Sequence, residues 1–148
     1  MPVRIAYNYA LQAFFWAAFS LLVGIIRYFS NPLPTIGVMF LGLFTGGGLG
    51  VVASLRVLHK LEKKNEYQAS LSTFLLLLGA SFVVIALFLP LLSNTPIIML
   101  TLFAAPFLTG MSAATTSLYL NWEVRHRSYI LADYSLRTIL YVSPRIRR

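Results

Sequence analysis

Four uninterrupted apolar runs, at about residues 5–26, 33–58, 71–92 and 97–120, restrict what this chain can fold into more than any other feature. Each has the roughly 20 residues that a helix needs to cross the hydrocarbon core of a bilayer. The runs lack the period-two alternation of barrel strands, which excludes a transmembrane β-barrel. The first run is too long for a cleavable signal peptide, and its start is basic only at Arg4. Composition agrees with a lipid environment. Of the 148 residues, 58% are apolar and 11% charged, against about 45–50% and about 25% in soluble domains. There is no cysteine, so disulfides, thiolate metal sites and thiol nucleophiles are excluded.

The connections differ in character. Ser30-Asn31-Pro32 and Ser93-Asn94-Thr95-Pro96 each place a capping side chain before a proline, which suits the first turn of a following helix. Both are short, so the expected fold is an all-α membrane protein whose four transmembrane helices form two tight antiparallel hairpins. That domain covers residues 1–122, and a short basic cytoplasmic tail covers 123–148. All Lys and Arg except Arg27 fall at the N-terminus (Arg4), in the middle loop (Arg56, Lys60, Lys63, Lys64) or in the tail (Arg125, Arg127, Arg137, Arg145, Arg147, Arg148). Such a bias marks the cytoplasmic side. An integral membrane protein with both termini cytoplasmic is expected, or facing the matrix or stroma in an organelle. The net charge of +8 is therefore a topology signal. The basic residues are scattered and form no nucleic-acid-binding motif.

Shifting the chain against itself by 63 residues aligns the two hairpins without a gap, pairing Ser30 with Ser93, Asn31 with Asn94, Phe40 with Phe103, Phe44 with Phe107, Gly47 with Gly110 and Leu55 with Leu118. A parallel repeat of a two-helix unit gives this pattern; so does shared Leu-, Ala- and Phe-rich composition. Gly42, Gly46, Gly50 and Ser54 recur every fourth residue in the second span. Small residues at that spacing let membrane helices approach closely. The glycine-rich span is superficially similar to that of the small four-span mitochondrial translocase proteins, a likeness confined to one span that carries no function across. The fourth span repeats the spacing with Thr109, Ala113, Ser117 and Asn121, and Pro106 is expected to kink it. Helix packing is thus expected at Gly42, Gly46, Gly50, Ser54, Ala113 and Ser117.

Chemistry is sparse. No ionisable residue lies near the middle of a span, where one would point to function. Asn8, Gln12 and Asn121 are expected to make polar contacts within the membrane, as interhelical hydrogen bonds or as a polar ligand site. His59 and His126 lie just beyond the inner ends of the second and fourth spans, so they could approach each other, but their basic neighbours oppose a metal ion. Glu62, Glu66, Glu123 and Asp133 lack an activating context. No catalytic residue, metal or cofactor is expected; bound lipid is compatible with the pattern.

The tail is more apolar than a solvated segment needs, and its Thr138–Val142 stretch could extend as a strand. Arg125, Arg127, Tyr134, Arg137 and Tyr141 are expected to dock on a partner or on lipid. The expected function is a non-catalytic accessory or structural subunit of a larger membrane complex of respiratory, energy-converting or translocation type. Its partners would be other membrane subunits and lipid, with no nucleic acid. The alternative is a small homo-oligomeric channel or carrier lined by Asn8, Gln12, Thr109, Ser117 and Asn121. An enzyme acting on a lipid is a third option.

Overall fold

A computed structural model describes residues 2–29, 32–68, 79–80, 83, 96–134 and 139–144. In chain order the elements are β1 (Val3–Arg4), α1 (Ile5–Tyr28), α2 (Pro32–Lys64), β2 (Glu66–Gln68), α3 (Pro96–His126), β3 (Ser128–Asp133) and β4 (Ile139–Pro144). Among the described residues the protein is therefore three long helices and a small sheet. The expected span at 71–92 lies almost entirely outside those residues. Two helical segments, Ile5–Tyr28 and Thr35–Lys64, are long and apolar enough to cross a membrane. At 1.5 Å per residue the 24 residues of α1 extend about 36 Å, a little more than a bilayer core.

The bundle is built around α3. Both α2 and α1 pack chiefly on it, and α1 meets α2 less extensively. The contact register shows that α2 and α3 run parallel. A Cβ built on Gly42 would lie 2.5 Å from the Phe103 carbonyl oxygen, and one on Gly50 would lie 2.7 Å from that of Met111. One on Gly46 would collide with the Phe107 carbonyl. One turn further, Ser54 Oγ donates to Thr115 Oγ1 at 3.0 Å. Gly42, Gly46, Gly50 and Ser54 thus form the face that α2 presents to α3. The approach is reciprocal, since a Cβ on Gly110 would strike the Leu43 carbonyl. Absent side chains put Cα–H groups of one helix against carbonyls of the other, a weak attraction repeated at every turn. Helix α1 runs antiparallel to both, with Gly24 facing the Met39 thioether and Ser20 Oγ 3.5 Å from Thr109 Oγ1. Val38, Leu102, Phe103 and Phe107 form the core of this half.

Both α2 and α3 end at a residue in the left-handed region, Asn65 (φ 54°) and Arg127 (φ 49°), and each is followed directly by a strand. At Asn65 the backbone N–H donates to the Leu61 carbonyl at 2.8 Å, which satisfies one of the carbonyls a helix end leaves open. The strands form one antiparallel sheet in the order β1-β3-β4-β2. The register pairs Val3 with Ala132, Ile130 with Val142, and Tyr67 with Leu140. The sheet caps the bundle where α1 begins and α2 and α3 end. Ile130, Ala132 and Leu140 from the sheet share a core with Ile5, Ala6, Leu58, Leu61, Tyr119 and Trp122.

Two expectations are corrected here. The described fold is not all-α with four helices, because four strands form a sheet. The segment after the last helix, expected as a short basic tail, also contributes strands β3 and β4. Burial alternates along β3, where Ile130 and Ala132 are buried and Leu131 and Asp133 less so, as expected of a strand with one face on a core. Part of that segment's apolar surface, Ile130, Ala132 and Leu140, packs on the chain's own helices, while Tyr134 and Ile139 stay exposed.

Candidate functional site

The sheet end of the bundle holds most of the protein's polar chemistry. Its anchor is Glu123, which has no exposed side-chain surface. Arg4 donates to Glu123 Oε2 from Nε at 2.9 Å and from a terminal guanidinium nitrogen. The Ile130 backbone N–H donates to Oε1 at 3.0 Å. One carboxylate therefore joins the strand before α1, the last turns of α3, and β3. The hydrogen bond to Glu123 holds the Arg4 pKa above its ordinary value, against a smaller opposing effect of burial. The guanidinium is also flanked by the rings of Tyr7 and Tyr129, at 4.4 and 4.6 Å, a favourable setting for a cation.

Beside this anchor, a groove of about 470 Å³ runs between the last turns of α2 and α3. One wall is Leu55, Leu58, His59 and Glu62; the other is Leu118, Asn121, Trp122 and Arg125, with His126 beyond. Each wall follows the i, i+3, i+4, i+7 spacing of one helical face. The 63-residue shift carries one wall onto the other, position for position. Leu55 and Leu118 occupy the end toward the middle of the bundle, and Glu62, Arg125 and His126 the end toward the sheet.

The floor is Trp122, which is only 7% exposed. Its indole N–H donates to Glu62 Oε1 at 3.0 Å. His126 stacks on the indole with ring centroids 4.2 Å apart, and its Nδ1–H donates to the Trp122 carbonyl at 3.0 Å. That bond turns Nε2 toward Glu62 Oε1, 3.6 Å away. Arg125 is exposed and has no acidic partner among the described residues. His59 and His126 line the same groove. Among the described residues, however, no group of three His, Cys, Asp or Glu side chains is arranged to hold a metal ion.

The other expected site residues are scattered. Asn8 Nδ2 donates to Tyr134 Oη at 3.1 Å, which ties α1 to the segment after β3 and not to another helix. Gln12 and Asn121 are exposed, Asn121 on the groove wall. Among the described residues, polar contacts between helices include Ser20 with Thr109, Ser54 with Thr115 and Trp122 with Glu62. Ala113 and Ser117 are exposed; the α3 face that meets the glycines of α2 is Phe103, Phe107, Gly110, Met111 and Thr115. Arg127 is the left-handed residue between α3 and β3. Tyr141 lies within β4, paired with Leu131 and Glu66. Arg137 lies outside the described residues.

Sequence reasoning passed over Glu123, Glu62 and Trp122. The available signal was the wall spacing around the two histidines. The partner of Glu123 is 119 positions away, and nothing local marks it. No family model, curated protein or solved structure matches the chain.

Proposed function

We propose that the chain is a membrane-embedded, non-catalytic subunit that supplies a rigid helical scaffold to a larger membrane complex. The observation that carries this is the outer surface of the helices. Only 11% of the apolar window of α1 and 22% of that of α2 is buried within the chain. Leu11, Phe14, Phe15, Leu22 and Ile26 of α1, with Phe44 and Val52 of α2, are more than half exposed. Lipid or other membrane chains must cover a surface of this size and aromatic content.

The parallel course of α2 and α3 supports a fourth crossing. Residues 69–95 carry the chain from Gln68, at the sheet end, back to the start of α3, and an apolar span at 71–92 suits that path. Arg4, Lys60, Lys63, Lys64, Arg125 and Arg127 gather at the sheet end and Arg27 near the other. This supports placing the sheet on the cytoplasmic side, or in the matrix or stroma of an organelle.

The state of the carboxylates supports a non-catalytic role. Glu123 is taken up by Arg4 and the Ile130 N–H, and Glu62 accepts from Trp122. A channel within one bundle is disfavoured, because Asn8 is bonded to Tyr134 and phenylalanines and glycine–carbonyl contacts fill the space between α2 and α3.

The test is extraction from the native membrane in a mild detergent, with particle mass and the co-migrating chains measured. Stoichiometric unrelated chains are expected. A small particle holding this chain alone would overturn the subunit role, and flux into liposomes would then be measured.

A further inference from the structure

The groove between the ends of α2 and α3 has an order of surfaces that a soluble ligand does not need. Leu55 and Leu118 lie toward the middle of the bundle, Leu58, His59 and Asn121 about a turn nearer the sheet, and Glu62, Arg125 and His126 nearest to it. A phospholipid lying alongside the helices has the same order, acyl chain first and phosphate last. We propose that this groove binds one anionic phospholipid of the surrounding leaflet, with its chain against Leu55, Leu58 and Leu118 and its phosphate at Arg125 and His59.

Three observations carry the assignment. The volume, about 470 Å³, lies in the range of roughly 300–1,000 Å³ typical of small-molecule sites, room for a head group and its glycerol. The groove presents one cation that no described carboxylate pairs. Arg125 is exposed and has no described acidic partner, and a guanidinium recognises phosphate through paired N–H donors. Glu62, the one carboxylate on the walls, already accepts from the Trp122 indole and faces His126 Nε2. Finally, the floor is fixed: Trp122 is held by Glu62, and its neighbour Glu123 is locked to Arg4 and to β3.

The proposal goes beyond the subunit reading and does not depend on it, because the experiment counts lipid per chain whatever partners exist. The full-length protein is reconstituted in vesicles of equimolar phosphatidylcholine and phosphatidylglycerol and re-extracted in mild detergent. Retained phospholipid is then quantified by mass spectrometry. Phosphatidylglycerol is expected to be retained in preference to phosphatidylcholine by on the order of tenfold, the scale of a hydrogen bond to a charged group. Arg125→Gln, at an exposed position, is expected to remove most of that preference, and His59→Gln part of it. Lys63→Gln removes the same charge outside the groove and is expected to leave it unchanged.

Equal retention of the two lipids would overturn the proposal. So would equal losses in Arg125→Gln and Lys63→Gln, which would reduce the effect to net charge. Displacement of the retained lipid by an equal concentration of sn-glycerol 3-phosphate would reassign the groove to a soluble phosphate compound and overturn the lipid assignment as well.

Discussion

Adding a single methyl group to α2 tests the contact on which the bundle is built. At Gly46 a Cβ would collide with the Phe107 carbonyl oxygen, whereas at Gly48, two residues on, it would meet nothing within 4 Å. Both changes to alanine bring the same gain in helix propensity, about 1 kcal/mol in a helix interior. Only Gly46→Ala brings a steric cost. Ordinary contact for such a methyl begins at 3.4 Å, and the opposing group is backbone that cannot rotate aside, so the helices must part by an ångström or more. Overpacking typically costs about 1–3 kcal/mol. The separation also loosens the neighbouring contacts at Gly42 and Gly50, which places the cost at the upper end. Gly46→Ala is therefore expected to destabilise by about 2 kcal/mol net, and Gly48→Ala to stabilise by up to about 1 kcal/mol. The assay is reversible unfolding in mixed micelles of increasing SDS content, followed by helical circular dichroism. If the two variants differ by less than about 0.5 kcal/mol, the scatter of neutral surface changes, then α2 and α3 do not meet along this face.

Two further outcomes follow from the sheet end. Glu123→Ala strands Arg4 and leaves the Ile130 N–H unpaired. Breaking a buried pair costs about 3–5 kcal/mol, and because Arg4 retains 21% exposure the lower end is expected; a loss under about 1 kcal/mol, no more than an ordinary hydrogen bond, would deny Glu123 its anchoring role. The natural absence of cysteine makes each introduced cysteine a unique reporter. In oriented vesicles, cysteines at Val3, Lys64 and Arg127 are expected to react with an impermeant maleimide from one side, and one at Phe29 from the other. Labelling of Val3 and Lys64 from opposite sides would contradict the sheet.

The helices were legible because long apolar runs in a bilayer have few alternatives: every backbone group must be satisfied within the segment. The α2 face was legible for a related reason, since four small residues at one spacing specify a stripe whatever lies opposite. The answering face on α3 was not. Thr109, Ala113, Ser117 and Asn121 share that period, yet Ala113, Ser117 and Asn121 are exposed, while carbonyls beneath Phe103 and Phe107 meet the glycines. Spacing identifies a smooth stripe and does not say which stripe its neighbour uses. The sheet was legible only at β4, where the Thr138–Val142 stretch reads as a strand and β4 covers Ile139–Pro144. Strands of two and three residues are too short to show a period, and β1 and β2 exist only through partners distant in sequence. The groove was half visible, through two histidines at equivalent helix ends; its floor required knowing that Trp122 faces Glu62.

The strand order also carries a consequence for how the molecule is made. Only β3 and β4 are neighbours along the chain; β1 pairs with β3 alone, and β2 with β4 alone. Synthesis runs from the N-terminus, so Val3 and Arg4 emerge long before Ala132 and Leu131, the residues they pair with. Throughout that interval Arg4 has no Glu123, and of the core that holds the start of α1 only Leu58 and Leu61 of α2 have been made. The β3–β4 pair thus supplies both of the edges that β1 and β2 join. Because those contacts are so distant in sequence, closure is slow relative to forming any helix. The cap acts as a late latch that shuts only when all three helix ends have arrived at the same place.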